Sequence, residues 1–252
     1  MTICVECGHD VKALYREFSK GNIRLAHCEF CGELADKYVE LDAHIVFIDL
    51  VLHRVQAYRH VLYNRQIVRV SREILKFLVV IFAFDSFDLW FRLQNRSQER
   101  LERPWEEFTR WLKPHPNQWV IPSVAIVETV VYLIAVSALT QIVVSYRLSE
   151  TKKSVDLRFL VSAVIFSCFS KLGILLWMVW DAPLLHRQVI SLFTLTSNVL
   201  AVRVFLRTPR WLEPTLIVLG GLLSRLIAGQ MLNYHYNPIG MSHALIPDTF
   251  SY

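Results

Sequence analysis

Apolar residues are concentrated in five long stretches of the chain, at 74–93, 121–146, 157–180, 189–206 and 213–232. A helix needs about twenty mostly apolar residues to cross a membrane. We therefore predict a polytopic, mainly α-helical membrane domain over residues 74–252, with about five spans.

The first and last stretches are less regular than the others. Asp85 and Asp88 interrupt the first, and the last contains Arg225. Three glycines also lie in the last stretch, at Gly220, Gly221 and Gly229. Either stretch can be re-entrant or interfacial instead of spanning, and without 74–93 the number of spans falls to four.

Residues 41–73 carry a different pattern, with apolar side chains along one helical face and polar side chains along the other. The apolar face comprises Leu41, Ile45, Ile48, Leu52, Val55, Tyr58 and Leu62. The polar row comprises Asp42, Asp49, His53, Gln56, His60 and Asn64. The pattern predicts an amphipathic, basic connector helix that packs on the segment before it, lies in the membrane interface, or does both.

The polar row is most simply interpreted as a polar helix face without a ligand. A metal site is the alternative, because Asp49 and His53 are four residues apart and His60 follows two turns later. Five arginines along the connector provide a basic approach to an anionic membrane surface: Arg54, Arg59, Arg65, Arg69 and Arg72.

Composition agrees with a membrane protein that has a polar head. The chain is 54% hydrophobic with a formal net charge of +5, and its mean hydropathy is +0.35. Lysine and arginine crowd the first 76 residues, but acidic residues alternate with them and no separate basic arm is present. We therefore expect a membrane partner and no nucleic acid.

The segment 1–40 contains the pentapeptides CVECG at 4–8 and CEFCG at 28–32. Twenty residues separate the two C-x2-C pairs, as in four-cysteine zinc sites. No apolar leader precedes the first pair, so we expect a reducing cytosolic location, where metal binding is favoured over disulfides. The candidate ligands of a closed, structural Zn2+ site in a zinc-ribbon-like module are Cys4, Cys7, Cys28 and Cys31.

Other groups surround this site in sequence. His9 and His27 can each replace a sulfur ligand, although surface positions are favoured while four thiols are present. Cys168 lies alone in an apolar stretch and is expected to be a buried small hydrophobe. Nearby cations can offset the thiolate charge or be solvated loop residues: Lys12, Arg16, Lys20, Arg24 and Lys37.

Lysine and arginine positions also predict an orientation. With five spans and a cytosolic head, the basic segments 147–158 and 207–210 are cytosolic. The loop 94–120 is then lumenal although it carries five basic residues. With four spans it is cytosolic instead.

Charged residues inside apolar spans are costly, and they often mark functional sites. In the five-span arrangement Asp85, Glu128 and Lys171 lie at similar depths, roughly 10–14 Å from one membrane face. We hypothesise that Lys171 pairs with Glu128 or Asp85 to form an intramembrane polar site for a lipid headgroup or sterol hydroxyl. A purely structural ion pair, or side chains that extend to the interface, is the alternative.

Several motifs resemble a known family. The cysteine pairs are followed by GNIRL at 21–25, ADKYVE at 35–40 and IDLVLHRVQAYRHVLYN at 48–64, and then by membrane spans. This order resembles the Arv family, whose Arv homology domain corresponds here to residues 1–64. Beyond residue 64 the likeness is one of hydropathy and span number.

The resemblance implies a non-catalytic, multi-pass protein of the endoplasmic reticulum membrane, or alternatively of the Golgi membrane, with its N-terminus in the cytosol. It also implies a link to sterol trafficking, sphingolipid balance and glycosylphosphatidylinositol anchor synthesis. The family's zinc ligands match Cys4, Cys7, Cys28 and Cys31.

Three functional classes remain: an enzyme, a protein that handles lipid directly, and a scaffold or accessory subunit. An enzyme is disfavoured because no GxSxG, HExxH or phosphate-binding loop is visible, and a four-thiolate zinc site has no open position. Direct handling of a membrane lipid, such as a sterol or a glycolipid, is favoured narrowly by the charged residues inside the apolar spans. The alternative is a scaffold or accessory subunit of a membrane glycosyltransferase complex.

Overall fold

The computed structural model describes residues 2–19, 22–65, 71–98, 120–147, 156–173 and 183–236. The chain divides into two compact units. The first comprises Met1–Phe77 with Val143–Val218, and the second comprises Leu78–Ile142 with Leu219–Tyr252.

The N-terminal head in the first unit is built from two short antiparallel hairpins. Strand β1 (Thr2–Ile3) pairs with β2 (Asp10–Val11), and β3 (Tyr15–Ser19) pairs with β4 (Asn22–Leu25). A 3-10 turn follows at Lys37–Val39, and its N-cap is Asp36, whose carboxylate accepts from the Tyr38 N–H. The strands bury few side chains, so a head of this size needs a further source of stability.

The connector is two helices rather than the single helix predicted. Helix α1 covers Ala43–Val51, and α2 covers Val55–Arg59 and continues as a π-helical turn over His60–Asn64. Between them His53 adopts φ +56°. The His53 and Arg54 N–H groups donate to the carbonyls of Leu50 and Asp49, which is the pattern of a Schellman C-cap. This cap ends α1 in spite of the continuous amphipathic pattern.

Two further helices lie entirely in the first unit. Helix α5 covers Leu157–Ser167 and continues as a 3-10 segment over Cys168–Gly173, and α6 covers Pro183–Leu206. Helix α5 packs along α6, as the contact between Phe159 and Phe205 shows. Tyr58 of α2 donates to Ser197 of α6 at 2.8 Å, and so the connector is attached to the same pair of helices.

The second unit takes its residues from three long helices, α3 (Ser71–Gln98), α4 (Val120–Arg147) and α7 (Leu212–Tyr236). Helices α4 and α7 approach closely at two glycines. A Cβ on Gly220 would lie 2.6 Å from Leu139, and one on Gly221 would lie 2.5 Å from Val136. A close approach of helices at small residues such as these glycines is typical of helix packing in membranes.

In the described part of the chain, three helices are long and apolar enough to cross a membrane: Ile121–Arg147, Gln188–Leu206 and Leu212–Leu232. They confirm the predicted stretches 121–146, 189–206 and 213–232 at this level.

The other two predicted spans differ from these three. The stretch 74–93 lies within α3, but Lys76, Asp85 and Asp88 make it more polar. The stretch 157–180 is described as far as 173, and its α-helix ends at Ser167. The number of five spans stays a prediction. Residues 99–119, which make up most of the loop 94–120, lie outside the described residues.

Candidate functional site

The four cysteines of the two pentapeptides lie together in the head. Their sulfur atoms are all within 4.8 Å of one another. Cys4 and Cys31 are 3.7 Å apart at Sγ, as are Cys7 and Cys28. The sequence prediction that these residues form one site agrees with this geometry.

The sulfur geometry fits a tetrahedral metal site. Zinc–sulfur bonds of about 2.3 Å place the ligand sulfurs about 3.8 Å apart in a tetrahedron, close to the two separations of 3.7 Å. A disulfide requires about 2.05 Å between sulfurs, and none of the five cysteines, all of which lie among the described residues, is in a disulfide. The four residues therefore form a group that can hold a metal ion.

The two cysteine turns have the same backbone design. The Gly8 N–H donates to the Cys4 carbonyl, and the Gly32 N–H donates to the Cys28 carbonyl, both at 2.9 Å. The two glycines have φ values of +81° and +76°, which other residues adopt only at a cost. The glycine after each cysteine pair thus lets the backbone turn and direct both sulfurs toward one point.

The thiols differ in acidity. Burial raises the pKa of the Cys4 thiol to about 12, whereas the backbone N–H of Cys31 lowers the pKa of Cys28 to about 7. Cys28 is therefore ready to supply a thiolate. Cys4 ionises readily only beside a positive charge, which a bound metal ion would supply.

A guanidinium from the connector lies against the first cysteine turn. Arg59 Nη1 donates to the carbonyls of Val5 at 2.8 Å and Glu6 at 2.5 Å. Burial lowers the pKa of Arg59, and the charges of Cys7 and Cys4 act in the opposite direction. Arg59 is therefore placed to offset part of the thiolate charge.

Sequence proximity did not identify this cation, because Arg59 comes from a later element. Among the cations predicted for this role, Lys12 pairs with Glu29 at the surface and Lys37 pairs with Glu6. This longer-range contact depends on the packing of α2 against the head.

The other candidate ligands have separate contacts. His9 stacks on Phe30 with ring centroids 3.6 Å apart, and His27 Nδ1 lies 3.0 Å from the Gly32 carbonyl. Cys168 is buried in the 3-10 segment and its thiol contacts the Val164 carbonyl. Among the described residues, the group that can hold a metal consists of the four cysteines of the head.

A buried hydrogen-bond network joins the connector to the head. Asp36 is fully buried and accepts from His60 Nδ1 and from Asn64 Nδ2, each at 2.7 Å. The Asn64 side chain also pairs with both backbone groups of Ile3, at 2.9 Å each. Because Ile3 directly precedes Cys4, this network fixes the first cysteine turn relative to α2.

The rest of the polar row of the connector serves the same attachment. Gln56 donates to Glu6 at 3.0 Å, and the Tyr38 hydroxyl donates to Asp49 at 2.7 Å. The polar face of the connector therefore contacts the head through Asp49, Gln56, His60 and Asn64, which agrees with the predicted packing on the preceding segment. The alternative metal site at Asp49, His53 and His60 is not formed, because each of these side chains has a different partner, namely Tyr38, Thr196 and Asp36. Among the described residues the three do not form a group that can hold a metal ion.

A second polar cluster lies in the second unit. Arg225 Nε of α7 is 3.0 Å from Glu128 Oε2 of α4, and its Nη2 is 3.8 Å from Asp85 Oδ2 of α3. Thr129 donates to Asp85 at 3.2 Å. A Cβ on Gly229 would lie 3.0 Å from Glu128 Oε1, so the glycine leaves room for this carboxylate. Asp85 and Glu128 are thus brought together around one guanidinium.

Lys171 lies in the first unit, within the 3-10 segment Cys168–Gly173. Its pairing with Glu128 or Asp85 stays a prediction. Arg225, which the sequence analysis treated only as an irregularity of the last stretch, is the cation found between the two carboxylates. Its position in an apolar, glycine-containing segment was the available signal.

Comparison with known proteins extends the likeness well beyond the head. The chain matches the Arv1-like family over residues 3–202. It is 37% identical over 233 residues to the protein arv1 homolog of Dictyostelium discoideum, covering 89% of this chain and 92% of that one.

Other relatives agree with this match. The chain is 34% identical to protein arv1 of Schizosaccharomyces pombe, covering 89% of this chain and 82% of that one. It is 30% identical to human protein ARV1, covering 87% of this chain and 78% of that one. No solved structure matches the chain. The extent of the family match and the identity to these relatives establish that the chain belongs to the Arv1-like family.

Proposed function

We propose that this protein is a non-catalytic protein of the endoplasmic reticulum membrane that acts in intracellular sterol and lipid transport and homeostasis. In this proposal it handles lipid directly in its helical part. The observation that carries it is the cluster of Asp85, Glu128 and Arg225 in a unit built from long apolar helices. Membership of the Arv1-like family supports a role in lipid homeostasis.

The cluster has the chemistry that a lipid polar group requires. Two carboxylates share one guanidinium, so the three groups together offer both acceptors and donors of hydrogen bonds. A sterol hydroxyl can donate to a carboxylate, and a phosphate or glycan can accept from Arg225. Ionisable groups in an apolar layer cost several kcal/mol unless they are paired or have a role.

The cysteine group is proposed to hold a structural Zn2+ ion. Four thiolates fill a tetrahedral coordination shell and leave no position for substrate or water. Its role would be to stabilise a head whose short strands bury little apolar surface. This assignment supports a non-catalytic protein.

A scaffold role is the second candidate, and exposed aromatic side chains on the head favour it. Phe18 and Phe30 are 68% and 69% exposed, and Tyr15 is 45% exposed. Aromatic residues are enriched in protein interfaces. In this alternative the head docks on a membrane glycosyltransferase complex that supports glycosylphosphatidylinositol anchor synthesis.

Reconstitution can distinguish the two candidates. The purified full chain would be placed in liposomes, and movement of a fluorescent sterol and a fluorescent glycolipid to acceptor liposomes would be measured. The variants are Glu128→Gln, Lys171→Met and a four-cysteine replacement. Glu213→Gln is the matched control, because Glu213 also pairs with an arginine, Arg147, outside the cluster.

Direct handling predicts lipid transfer by the natural chain, a loss of transfer in Glu128→Gln, and transfer near the natural rate in Glu213→Gln. Absence of transfer by the natural chain, together with stable co-purification of a glycosyltransferase complex, would reject direct handling in favour of the scaffold. Equal losses in both glutamate variants would reject the cluster as the lipid site.

A further inference from the structure

Helix α6 has two halves with different surroundings. In its first half, Val189 and Leu192 are 56% and 63% exposed. In its second half most side chains are buried, and Ser197, Leu200 and Val202 are only 0–1% exposed. Because both halves are apolar, hydropathy alone does not reveal this change.

Protein covers the second half of α6. Tyr58 donates to Ser197, and Ser197 donates to the Ser167 carbonyl of α5 at 2.7 Å. Near the end of the helix, the Tyr63 hydroxyl lies 3.3 Å from the Phe205 carbonyl. The apolar residues of this half therefore form the core of the folded first unit, between α2 and α5.

The end of α1 lies at the boundary between the two halves. His53 Nε2 is 2.9 Å from the Thr196 hydroxyl, and the His53 ring packs against Phe193 with centroids 4.4 Å apart. On α1 itself, Phe47 packs against Phe169 of the 3-10 segment with centroids 6.0 Å apart. These contacts fix α1 where the exposed half of α6 begins.

Helix α1 is strongly divided into two faces. Its buried side includes Asp49, which accepts from Tyr38 of the head. Its other side, together with the residues that flank the helix, exposes large apolar side chains at 38–59% of their surface: Leu41 before the helix, Ile45, Phe47, Ile48 and Val51 within it, and Leu52 at its C-cap. An apolar surface of this size marks an interaction site.

We propose that α1 is inserted in the membrane interface, with Ile45, Ile48 and Leu52 in contact with lipid acyl chains. Lipid is identified as what covers the exposed face of α1 because this face is continuous with the exposed side of α6. Leu192 and Thr196 are four residues apart on one face of α6, so the exposed side of α6 continues into the end of α1. Val189 and Leu192, the exposed apolar side chains of the first half of α6, lie at the start of a membrane-type apolar segment, and lipid acyl chains are the environment suited to them.

This placement has a consequence for the membrane boundary. In this placement the hydrocarbon layer ends near Thr196 on the side covered by α2, so residues 197–206 do not belong to the lipid-facing span that their hydropathy predicts. Helix α1 then lies along this boundary as an amphipathic interfacial helix, with the head above it. The apolar run 197–206 is explained by packing against protein on this side.

Site-specific photocrosslinking tests the proposal in the full chain. A photoreactive benzophenone amino acid would replace Ile48 in one variant and Leu52 in another, in vesicles of phosphatidylcholine with deuterated acyl chains. Both positions are more than half exposed, so the replacement displaces no packed neighbour. Leu192 serves as the lipid-facing reference and Phe18 of the head as the solvent-facing control.

After illumination, mass spectrometry should detect the gain of one phospholipid mass at positions 48 and 52, with the bond on an acyl carbon. The yield should be similar to that at Leu192, with no such gain at Phe18. The proposal is overturned if Leu192 gains lipid while 48 and 52 gain none. It is also overturned if 48 and 52 crosslink to a second chain instead of lipid.

Discussion

His60 Nδ1 donates to the Asp36 carboxylate at 2.7 Å, with Asp36 fully buried and His60 5% exposed. Asp36 belongs to the segment that follows the cysteine turns, and His60 belongs to the π-helical turn of the connector. This bond and those from Asn64 make the head and the connector one structural element.

Replacing Asp36 should therefore open the head. In Asp36→Ala, the His60 and Asn64 donors lose a buried acceptor, which we expect to cost about 3 kcal/mol. Hydrogen–deuterium exchange of amides in residues 2–65 would measure the free energy of opening. Asp42→Ala is the control, since Asp42 is exposed and makes no capping hydrogen bond. A similar small change of roughly 0.5 kcal/mol in both variants would contradict this role.

Loss of one cysteine of the group should remove the metal. In Cys31→Ser a neutral hydroxyl replaces a thiolate, so metal affinity falls and the head loses protection from exchange. Elemental analysis of the purified chain should show zinc in the natural protein and none in the variant. Cys168→Ala should keep its zinc because Cys168 lies outside the group. Zinc retained by Cys31→Ser would refute the four-thiolate site.

The two cysteine turns should respond unequally to the same substitution. Gly8→Ala and Gly32→Ala both place a Cβ at positive φ, a strain of about 1–2 kcal/mol. At Gly8 the added Cβ would also lie 3.3 Å from Arg59 Nη2, whereas at Gly32 nothing lies within 4 Å. Competition with a zinc chelator should thus show weaker metal retention in Gly8→Ala. Equal retention would indicate that Arg59 moves aside at no cost.

The Glu128–Arg225 pair should show strong energetic coupling. The pair is partly buried, so breaking it should cost less than the roughly 3–5 kcal/mol that is typical when one partner of a fully buried ion pair is removed. A double-mutant cycle with Glu128→Gln and Arg225→Gln, followed by thermal unfolding in detergent, should yield a coupling above 1 kcal/mol.

The same cycle at Glu213 and Arg147 provides the comparison. This pair is more exposed, and we expect a coupling of roughly 0–1 kcal/mol. If both cycles gave the same value, the cluster of Asp85, Glu128 and Arg225 would have no special energetic role.

A Lys171–Glu128 pair makes a separate prediction. Lys171→Glu and Glu128→Lys should each reduce function alone, and the double swap should restore it because the pair is re-formed with reversed charge. Lipid transfer in liposomes is the measurement. Failure of the double swap would count against the pair and would leave Arg225 as the cation partner of Glu128.

Some features of the site could be predicted from sequence because they are local. The spacing within each C-x2-C pair and the glycine after it determine a tight turn, and both glycines have positive φ. Long apolar stretches likewise predict helices, since hydrocarbon requires backbone groups to be satisfied within the segment.

Other features depend on contacts between distant residues. The break at His53 interrupts a continuous amphipathic pattern. The sequence does not reveal it, because the capping residues Leu52, His53 and Arg54 include neither glycine nor proline. Arg225 is 97 residues from Glu128, and no local pattern relates the two.

The sequence by itself determined that the head is built on four cysteines and that the chain has long apolar helices. Both follow from residue type and short spacing. The tertiary structure decided what the polar row of the connector contacts, which cation lies beside Glu128, and which half of α6 is covered by protein. These depend on burial, and a polar or apolar residue has the same letter whether its neighbour is water, lipid or another helix.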